Sequence, residues 1–153
     1  MSHAGVALVD PYLIFTKVGV APGMHLADFG CGRTGHFIFS LSRLVGDTGV
    51  VYAVDILKDI LEHIRGRVRS EGYDNIHTVW SDIERVGKTA IPESTLDGIF
   101  FVNVLSRMQA QTDSLQEAAR LIKSGGFVVV VVPVVEGVGV VELVFMTHLP
   151  GTA

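Results

Sequence analysis

Apolar residues along the chain follow two alternating patterns. Four longer stretches carry them at helical spacing and predict helices over 11–18, 35–45, 56–71 and 112–123. Short apolar runs bounded by turn residues predict buried strands at 24–29, 50–54, 76–80, 96–102 and 127–132. Strands and helices that alternate at this spacing are typical of right-handed βαβ units. We therefore predict a doubly wound α/β fold with a mainly parallel sheet.

Capping and turn residues mark several element ends. Asp10 before Pro11 predicts a helix start, because aspartate caps a first turn and proline fits the first helical position. Gly19 can end that helix. We expect Thr112 to cap the last helix, and the Ser-Gly-Gly run at 124–126 to end it before the fifth strand.

The residues after the fifth strand break the alternation. Between Val132 and Val140 there is no room for a helix, and residues 137–139 form a Gly-Val-Gly turn signal. Residues 140–145 are strand-like again, so we predict a hairpin that lays them antiparallel to the fifth strand. A loosely ordered tail is the alternative.

The length and composition favour one domain. A chain of 153 residues suits a single unit: an N-terminal helix within 1–20, a core at 24–132 and a C-terminal hairpin or tail at 133–153. Hydrophobic residues make up 48% of the chain and charged residues 18%, against about 25% charged in an average domain. This apolar excess suits a sheet covered on both faces. It also favours self-association, as a homodimer through the sheet edge or the tail.

The charge and the cysteine content argue against several kinds of partner and cross-link. The formal net charge is −4 with no basic block, which argues against nucleic acid. Cys31 is the single cysteine and the histidines show no metal-ligand spacing, so we expect no disulfide and no metal. The start does not resemble a signal peptide, and the longest apolar run, 127–135, is too short to span a bilayer. We expect a reduced, cytoplasmic protein.

The candidate chemistry centres on a glycine-rich loop between the first strand and the second helix. Gly30-Cys31-Gly32 and then Gly35 lie where the backbone must turn sharply and approach a ligand closely. The glycine pattern by itself is weak. However, Asp55 ends the second strand, where it can accept hydrogen bonds from a ribose, with capping of the next helix as an alternative role. Together they indicate a nucleoside-bearing ligand, either a nicotinamide dinucleotide or S-adenosylmethionine.

Three polar residues at other strand ends favour S-adenosylmethionine. Asp28 precedes the loop by two residues, where its carboxylate can hold the ligand's ammonium group. Asp82 follows the third strand and can accept a hydrogen bond from an adenine amino group. Asn103 follows the fourth strand and opens on the same crevice.

The chain resembles the class I, Rossmann-like, S-adenosylmethionine-dependent methyltransferases, and most closely their small-molecule and quinone branch. The segments that carry the resemblance are 26–35, 51–56, 80–83, 96–103 and 121–127. One departure is that Arg33-Thr34 places one extra residue before Gly35. The family also normally continues through a further helix and two strands, so we expect a shortened acceptor side.

The resemblance implies S-adenosylmethionine as cofactor and S-adenosylhomocysteine as product. It implies backbone contact by the glycine loop, ribose binding by Asp55, adenine packing by Ile56 and adenine hydrogen bonding near Asp82. The full set of candidate cofactor-binding residues is Asp28, Gly30, Cys31, Gly32, Gly35, Asp55, Ile56, Ser81, Asp82, Ile83 and Asn103.

No catalytic residue is assigned from the sequence. Asn103, Ser106 and Arg107 follow the fourth strand, where related enzymes place substrate-facing groups, with a plain loop as the alternative. His36 could contact the ligand's carboxylate, act as a base, or simply face solvent. Methyl transfer from a sulfonium depends on positioning more than on a base. We predict a methyltransferase acting on a small, unidentified acceptor. An NAD-dependent oxidoreductase and a non-catalytic S-adenosylmethionine-binding domain are the alternatives.

Overall fold

A computed structural model describes residues 10–133 and 141–146. Its elements in chain order are α1 Pro11–Val18, β1 His25–Phe29, α2 His36–Val45, β2 Val50–Asp55, α3 Lys58–Glu71, β3 Ile76–Trp80, β4 Leu96–Val102, a 3-10 turn at Leu105–Arg107, α4 Gln111–Leu121, β5 Ile122–Pro133 and β6 Val141–Met146. The alternation of strands and helices is that predicted, so the α/β prediction is confirmed.

One sheet with the strand order β3-β2-β1-β4-β5-β6 forms the centre of the fold. Strands β1 to β5 are mutually parallel, which confirms the Rossmann-like architecture. The chain builds outward from β1 in one direction and from β4 in the other. In open parallel sheets the carboxyl ends of the strands at such a reversal form a crevice that binds ligands.

Both faces of the parallel sheet are covered, which explains why its strands are apolar almost throughout. On the face covered by α1, α2 and α3, the Phe15 ring meets Phe37 and Phe100 edge to face, at centroid distances of 5.4 and 5.6 Å. On the face covered by α4, Phe101 packs with Leu121. Successive residues of β4 therefore enter opposite cores.

The first helix has the predicted ends, whereas the third begins later than predicted. The Asp10 carboxylate caps α1 by accepting a hydrogen bond from the Tyr12 amide at 3.0 Å, and Gly19 ends the helix. α3 begins at Lys58 and not at residue 56. The reason is a turn in which the Asp55 carboxylate accepts a hydrogen bond from the Leu57 amide, at 3.0 Å.

The prediction that Thr112 caps the last helix is wrong. α4 begins at Gln111, and its capping group comes from the distant β3–β4 loop. Glu84 Oε1 accepts hydrogen bonds from the Gln109 and Ala110 amides, both at 2.7 Å. A carboxylate at a helix N-terminus also interacts favourably with the helix dipole.

The predicted turn between α4 and β5 is also wrong. Ile122 already pairs with Leu96 of β4, so the strand starts before the Ser-Gly-Gly run. The register then shifts, and Phe127 pairs with Gly98. Residues 123–126 are therefore an irregularity inside β5, and not a connection that precedes it.

The C-terminal strand lies at the edge of the sheet. β6 pairs antiparallel with β5, from Val128 opposite Met146 to Pro133 opposite Val141. The Gly-Val-Gly turn of the predicted hairpin, at 137–139, lies outside the described residues. None of the helices in the described ranges has both the length and the apolar character needed to cross a membrane.

Candidate functional site

A cavity of about 550 Å³ opens at the carboxyl ends of the parallel strands, a size within the range of small-molecule sites. It lies at the strand reversal between β1 and β4. Nine of the eleven candidate residues line it, namely Asp28, Gly30, Cys31, Gly32, Asp55, Ile56, Asp82, Ile83 and Asn103. Gly35 and Ser81 are not among its lining residues.

The backbone of the glycine loop is bound to the end of β2. The amides of Gly30 and Cys31 donate to the Val54 carbonyl oxygen at 2.8 and 3.1 Å, and the Gly32 amide donates to Asp55 Oδ2 at 3.3 Å. The first two donors are therefore engaged within the protein. A ligand would therefore contact Gly30 through its carbonyl oxygen or Cα atom, and Cys31 through its carbonyl oxygen, Cα atom or side chain.

The glycines of this loop differ in what surrounds them. A Cβ atom at Gly30 would lie 2.8 Å from Val104 Cγ1, and one at Gly35 would lie 2.6 Å from the Phe39 ring. A Cβ at Gly32 would meet nothing within 4 Å. Gly35 therefore serves the packing of α2, whereas Gly32 faces open space in the cavity wall.

The extra residue in the loop is accommodated by contacts to α3. Arg67 donates to the Thr34 carbonyl oxygen at 2.9 Å, and Arg33 forms an exposed ion pair with Asp59 at 2.8 Å. With these contacts in place, α2 begins directly after Gly35. The longer loop thus keeps the start of α2 at the cavity.

Asp28 is the most unusual residue of the site. Its side chain is buried, and its Oδ1 atom has no hydrogen-bond partner among the described residues. Burial, and secondly the negative charge of Asp55, raise the pKa of the Asp28 carboxyl to about 7. A buried carboxylate without a partner is costly unless a cation or a hydrogen-bond donor joins it.

Asp55 joins the two strand-end loops that border the cavity. Its Oδ1 atom accepts from the Leu57 amide and its Oδ2 atom from the Gly32 amide. Each oxygen keeps a further lone pair, so the carboxylate can still bind two hydroxyl groups. The turn-forming role and the ribose-binding role are therefore compatible.

The residues after β3 divide between the cavity and the core. Asp82 lines the cavity, with Oδ1 accepting from the Glu84 amide at 3.1 Å and Oδ2 paired with Arg85 at 3.2 Å. Ser81 is fully buried, and its hydroxyl bonds the Thr89 hydroxyl at 2.8 Å. The structure therefore gives Ser81 a role in fixing the loop and does not bring it to the cavity.

Asn103 marks the end of β4 with an unusual conformation. Its φ of 58° is left-handed, which is rare for residues other than glycine. Its amide donates to the Val131 carbonyl oxygen at 2.8 Å, while its carbonyl oxygen accepts from Arg107. Its side-chain Oδ1 is buried and has no hydrogen-bond partner within the described part of the chain.

The charges around the cavity are mainly negative. Its lining includes the carboxylates of Asp28, Asp55, Asp82 and Glu84, together with the guanidinium of Arg107 and the imidazole of His36. Such a lining attracts cations and repels anions. It therefore favours a ligand with a sulfonium or ammonium group over a dinucleotide pyrophosphate.

Comparison with known proteins gives the family. A family model described as a methyltransferase domain matches residues 21–147 of this chain. The chain belongs to this methyltransferase family. The resemblance to class I, S-adenosylmethionine-dependent methyltransferases is thereby confirmed, and the comparisons give no support to an oxidoreductase.

Two relatives of this methyltransferase domain are named for quinone biosynthesis. It is 30% identical over 135 residues to a ubiquinone/menaquinone biosynthesis C-methyltransferase of Vibrio parahaemolyticus, covering 86% of this chain and 51% of the relative. It is 34% identical over 116 residues to the protein of the same name from Coxiella burnetii, covering 75% and 45%. The chain thus spans about half the length of these curated relatives.

A solved structure is similar over most of the methyltransferase domain. A SAM dependent methyltransferase from Aquifex aeolicus aligns with a TM-score of 0.74 and 25% sequence identity. The alignment covers 80% of this chain and 63% of that one. The similarity supports the same arrangement of sheet and helices around the cavity.

Sequence reasoning missed Glu84, which lines the cavity and caps α4 at the same time. It also missed the apolar lining at Leu57, Ile60, Val104 and Met108. No signal for Glu84 is present in the sequence, because Thr112 looks like a sufficient cap for this helix. The structure places Ala110, which has no capping side chain, at the N-cap of α4.

Proposed function

We propose that this domain binds S-adenosylmethionine in the cavity and transfers its methyl group to a small-molecule acceptor. The observation that carries the proposal is the buried Asp28 carboxylate, which has an oxygen without a partner among the described residues and borders a cavity of suitable size. The ammonium group of the cofactor's amino-acid end is a cation of the kind this oxygen lacks. Family membership supports the same conclusion.

The other lining residues fit the remaining parts of the cofactor. Asp55 has free lone pairs for the ribose hydroxyls, and the side chains of Ile56 and Ile83 offer apolar surface to the adenine. Asp82 can accept from the adenine amino group. Gly32 leaves room in the wall of the loop. We do not assign direct ligand contacts to Gly35 and Ser81, because neither lines the cavity.

When bound, S-adenosylmethionine would supply an electrophilic methyl group on a positively charged sulfur. The protein's contribution is then to bind, to orient and to exclude water. The carboxylates of the lining favour a positive charge, and the apolar side chains of Val104 and Met108 border the same space. No basic residue is required for a nucleophilic acceptor that already carries a reactive lone pair or carbanion.

Calorimetric titration tests the cofactor assignment. We expect the domain to bind S-adenosylhomocysteine with 1:1 stoichiometry and to show no heat of binding with NAD. Binding of NAD without binding of S-adenosylhomocysteine would overturn the proposal. Asp28→Asn serves as a matched variant, since it keeps the side-chain shape but removes the charge.

The names of the relatives suggest which acceptors to try first. We propose a small-molecule acceptor, and demethylated quinols are the first candidates because the relatives in Vibrio and Coxiella are named as quinone C-methyltransferases. Transfer of a labelled methyl group to members of an acceptor panel tests this. Cofactor binding without transfer to any acceptor would favour the non-catalytic alternative.

The domain organisation and the oligomeric state of the chain can be tested as well. We propose that residues 1–153 form one domain whose C-terminal segment closes a hairpin onto β5, as the antiparallel pairing of β6 supports. A homodimer and a cytoplasmic location stay predictions. Light scattering coupled to size-exclusion chromatography would test the first.

A further inference from the structure

The strained residue at the end of β4 is held in place by an arginine four positions later. Arg107 donates two hydrogen bonds to the Asn103 carbonyl oxygen, from Nε at 3.0 Å and from Nη2 at 2.6 Å. The peptide on the other side is fixed as well, because the Asn103 amide donates to Val131. Asparagine adopts the left-handed conformation more readily than most residues, but at a small cost that surrounding contacts such as these offset.

Within the described part of the chain, the guanidinium of Arg107 bonds to a backbone carbonyl oxygen and not to a carboxylate. The side chain is exposed and Glu84 lines the same cavity, yet Arg107 forms no ion pair with any carboxylate of residues 10–132. Its donors instead close the 3-10 turn back onto Asn103. Charge-assisted hydrogen bonds of this kind are among the stronger ones in proteins.

The contact with Arg107 determines the direction of the Asn103 side chain. That residue lines the cavity, and its Oδ1 atom is buried without a partner in the described ranges. An extended or right-handed backbone at this position would turn the carboxamide to a different direction. The conformation that Arg107 maintains is thus the one in which a cavity-lining residue keeps a buried carboxamide oxygen without a partner in the described ranges.

We propose that Arg107 is a positioning residue that holds Asn103 in the left-handed conformation, so that its carboxamide oxygen accepts a hydrogen bond from an N–H group of the bound cofactor. This inference rests on the proposed function for the identity of the ligand. It assigns Arg107 an indirect role: the guanidinium acts through Asn103 and does not itself bind the ligand.

Nuclear magnetic resonance tests the conformational part without any ligand. The three-bond coupling between the amide and α protons of Asn103, with its 13Cβ shift, reports the sign of φ. We expect a left-handed Asn103 in the wild type and in Arg107→Lys, which keeps a donor, and its loss in Arg107→Met. A left-handed Asn103 that persists in Arg107→Met would overturn the proposal.

A double-mutant cycle tests the functional part by calorimetry with S-adenosylhomocysteine. Arg107→Met should weaken binding about tenfold, the effect of one hydrogen bond. Asn103→Gly tolerates the left-handed backbone but has no carboxamide, so adding Arg107→Met to it should change the affinity by less than about twofold. An equal loss in both backgrounds would show that Arg107 acts on the ligand directly or only on stability.

The two kinds of failure are distinguishable. If the wild type does not bind S-adenosylhomocysteine, the proposed function fails, while the coupling measurement still decides whether Arg107 holds Asn103. If Arg107→Met does not fold, Arg107→Ala, which also lacks the donors, takes its place in the cycle. In that case Arg107→Ala must weaken binding more in the wild-type background than in the Asn103→Gly background.

Discussion

Replacing Asp28 with asparagine should stabilise the ligand-free protein and weaken its binding of the cofactor. The carboxyl is buried, and its pKa is raised to about 7, against 3.8 for the unperturbed group. A folded-state pKa above the unfolded value means that ionisation of Asp28 opposes folding. Asparagine has nearly the same shape and cannot ionise, so it removes this cost.

The magnitude follows from the two pKa values. Their separation corresponds to a free energy of about 4 kcal/mol, an upper bound because the native state can relax around the charge. The cost is zero well below pH 4, grows between pH 4 and 7, and is complete above pH 7. The stability gained by Asp28→Asn should therefore appear across that interval and then stay constant.

Urea denaturation at a series of pH values measures this gain. We expect the unfolding free energies of the variant and the wild type to converge near pH 4 and to separate by up to about 4 kcal/mol at pH 8. Asp47→Asn removes an exposed carboxylate from the α2–β2 turn, at the opposite end of the sheet, and should show no such divergence. A variant less stable than the wild type at pH 8 would refute the reasoning.

Asp28→Asn should weaken cofactor binding, although it stabilises the ligand-free protein. The ammonium group of S-adenosylhomocysteine favours the ionised form of Asp28, so wild-type affinity should fall as the pH drops below about 7. In Asp28→Asn the affinity should be about tenfold or more weaker at pH 8, and this pH dependence should disappear. Equal affinities of the two proteins at pH 8 would exclude Asp28 as the ammonium site.

Three further predictions follow from other contacts. Asp55→Ala should weaken S-adenosylhomocysteine binding by about ten- to a hundredfold in calorimetry, and Asp55→Asn should weaken it less because it keeps one acceptor. Unchanged affinity in a folded variant would show that Asp55 does not bind the ligand. Trp80, the single tryptophan, donates a hydrogen bond from its indole nitrogen to the Ile56 carbonyl oxygen at 2.7 Å. Because this bond holds the residue proposed to pack on the adenine, Trp80→Phe should weaken S-adenosylhomocysteine binding by about three- to tenfold. The tryptophan fluorescence of the wild type should change when S-adenosylhomocysteine is added. Although burial raises the pKa of the Glu117 carboxyl, hydrogen bonds from Arg120 and two backbone amides outweigh this effect and lower the pKa to about 2. Glu117→Gln should therefore lower the unfolding free energy by about 3 kcal/mol at pH 7, and this difference should shrink as the pH falls from 4.5 towards 2. A difference that stays constant over that range would contradict the stabilising role of the ionised carboxylate.

The sequence predicted those parts of the site that depend on topology. Asp28, Asp55 and Asp82 each stand at the carboxyl end of a predicted strand, and parallel strands bring such ends to one edge of the sheet. Knowing the strands was therefore enough to bring these side chains together. Helix ends such as that of α1 were predictable for a different reason, because the capping residue, Asp10, is next to the helix in sequence.

The parts that depend on contacts distant in sequence could not be predicted. Nothing local indicates that the Gly30 amide bonds to Val54, or that Gly35 is needed for packing against Ile64 of α3. The left-handed Asn103 has its backbone partners in β5 and in the 3-10 turn. Sequence spacing reports which residues occupy a loop, but tertiary contacts decide which of their atoms remain free for a ligand.

A crystal structure of the domain with S-adenosylhomocysteine bound would test the cofactor assignment more directly than any variant. We expect the ligand to occupy the cavity, with its ammonium group within hydrogen-bond distance of Asp28 Oδ1 and its ribose hydroxyls on the Asp55 carboxylate. A ligand bound elsewhere, or one in this cavity with its amino-acid end directed away from Asp28, would contradict the assignment.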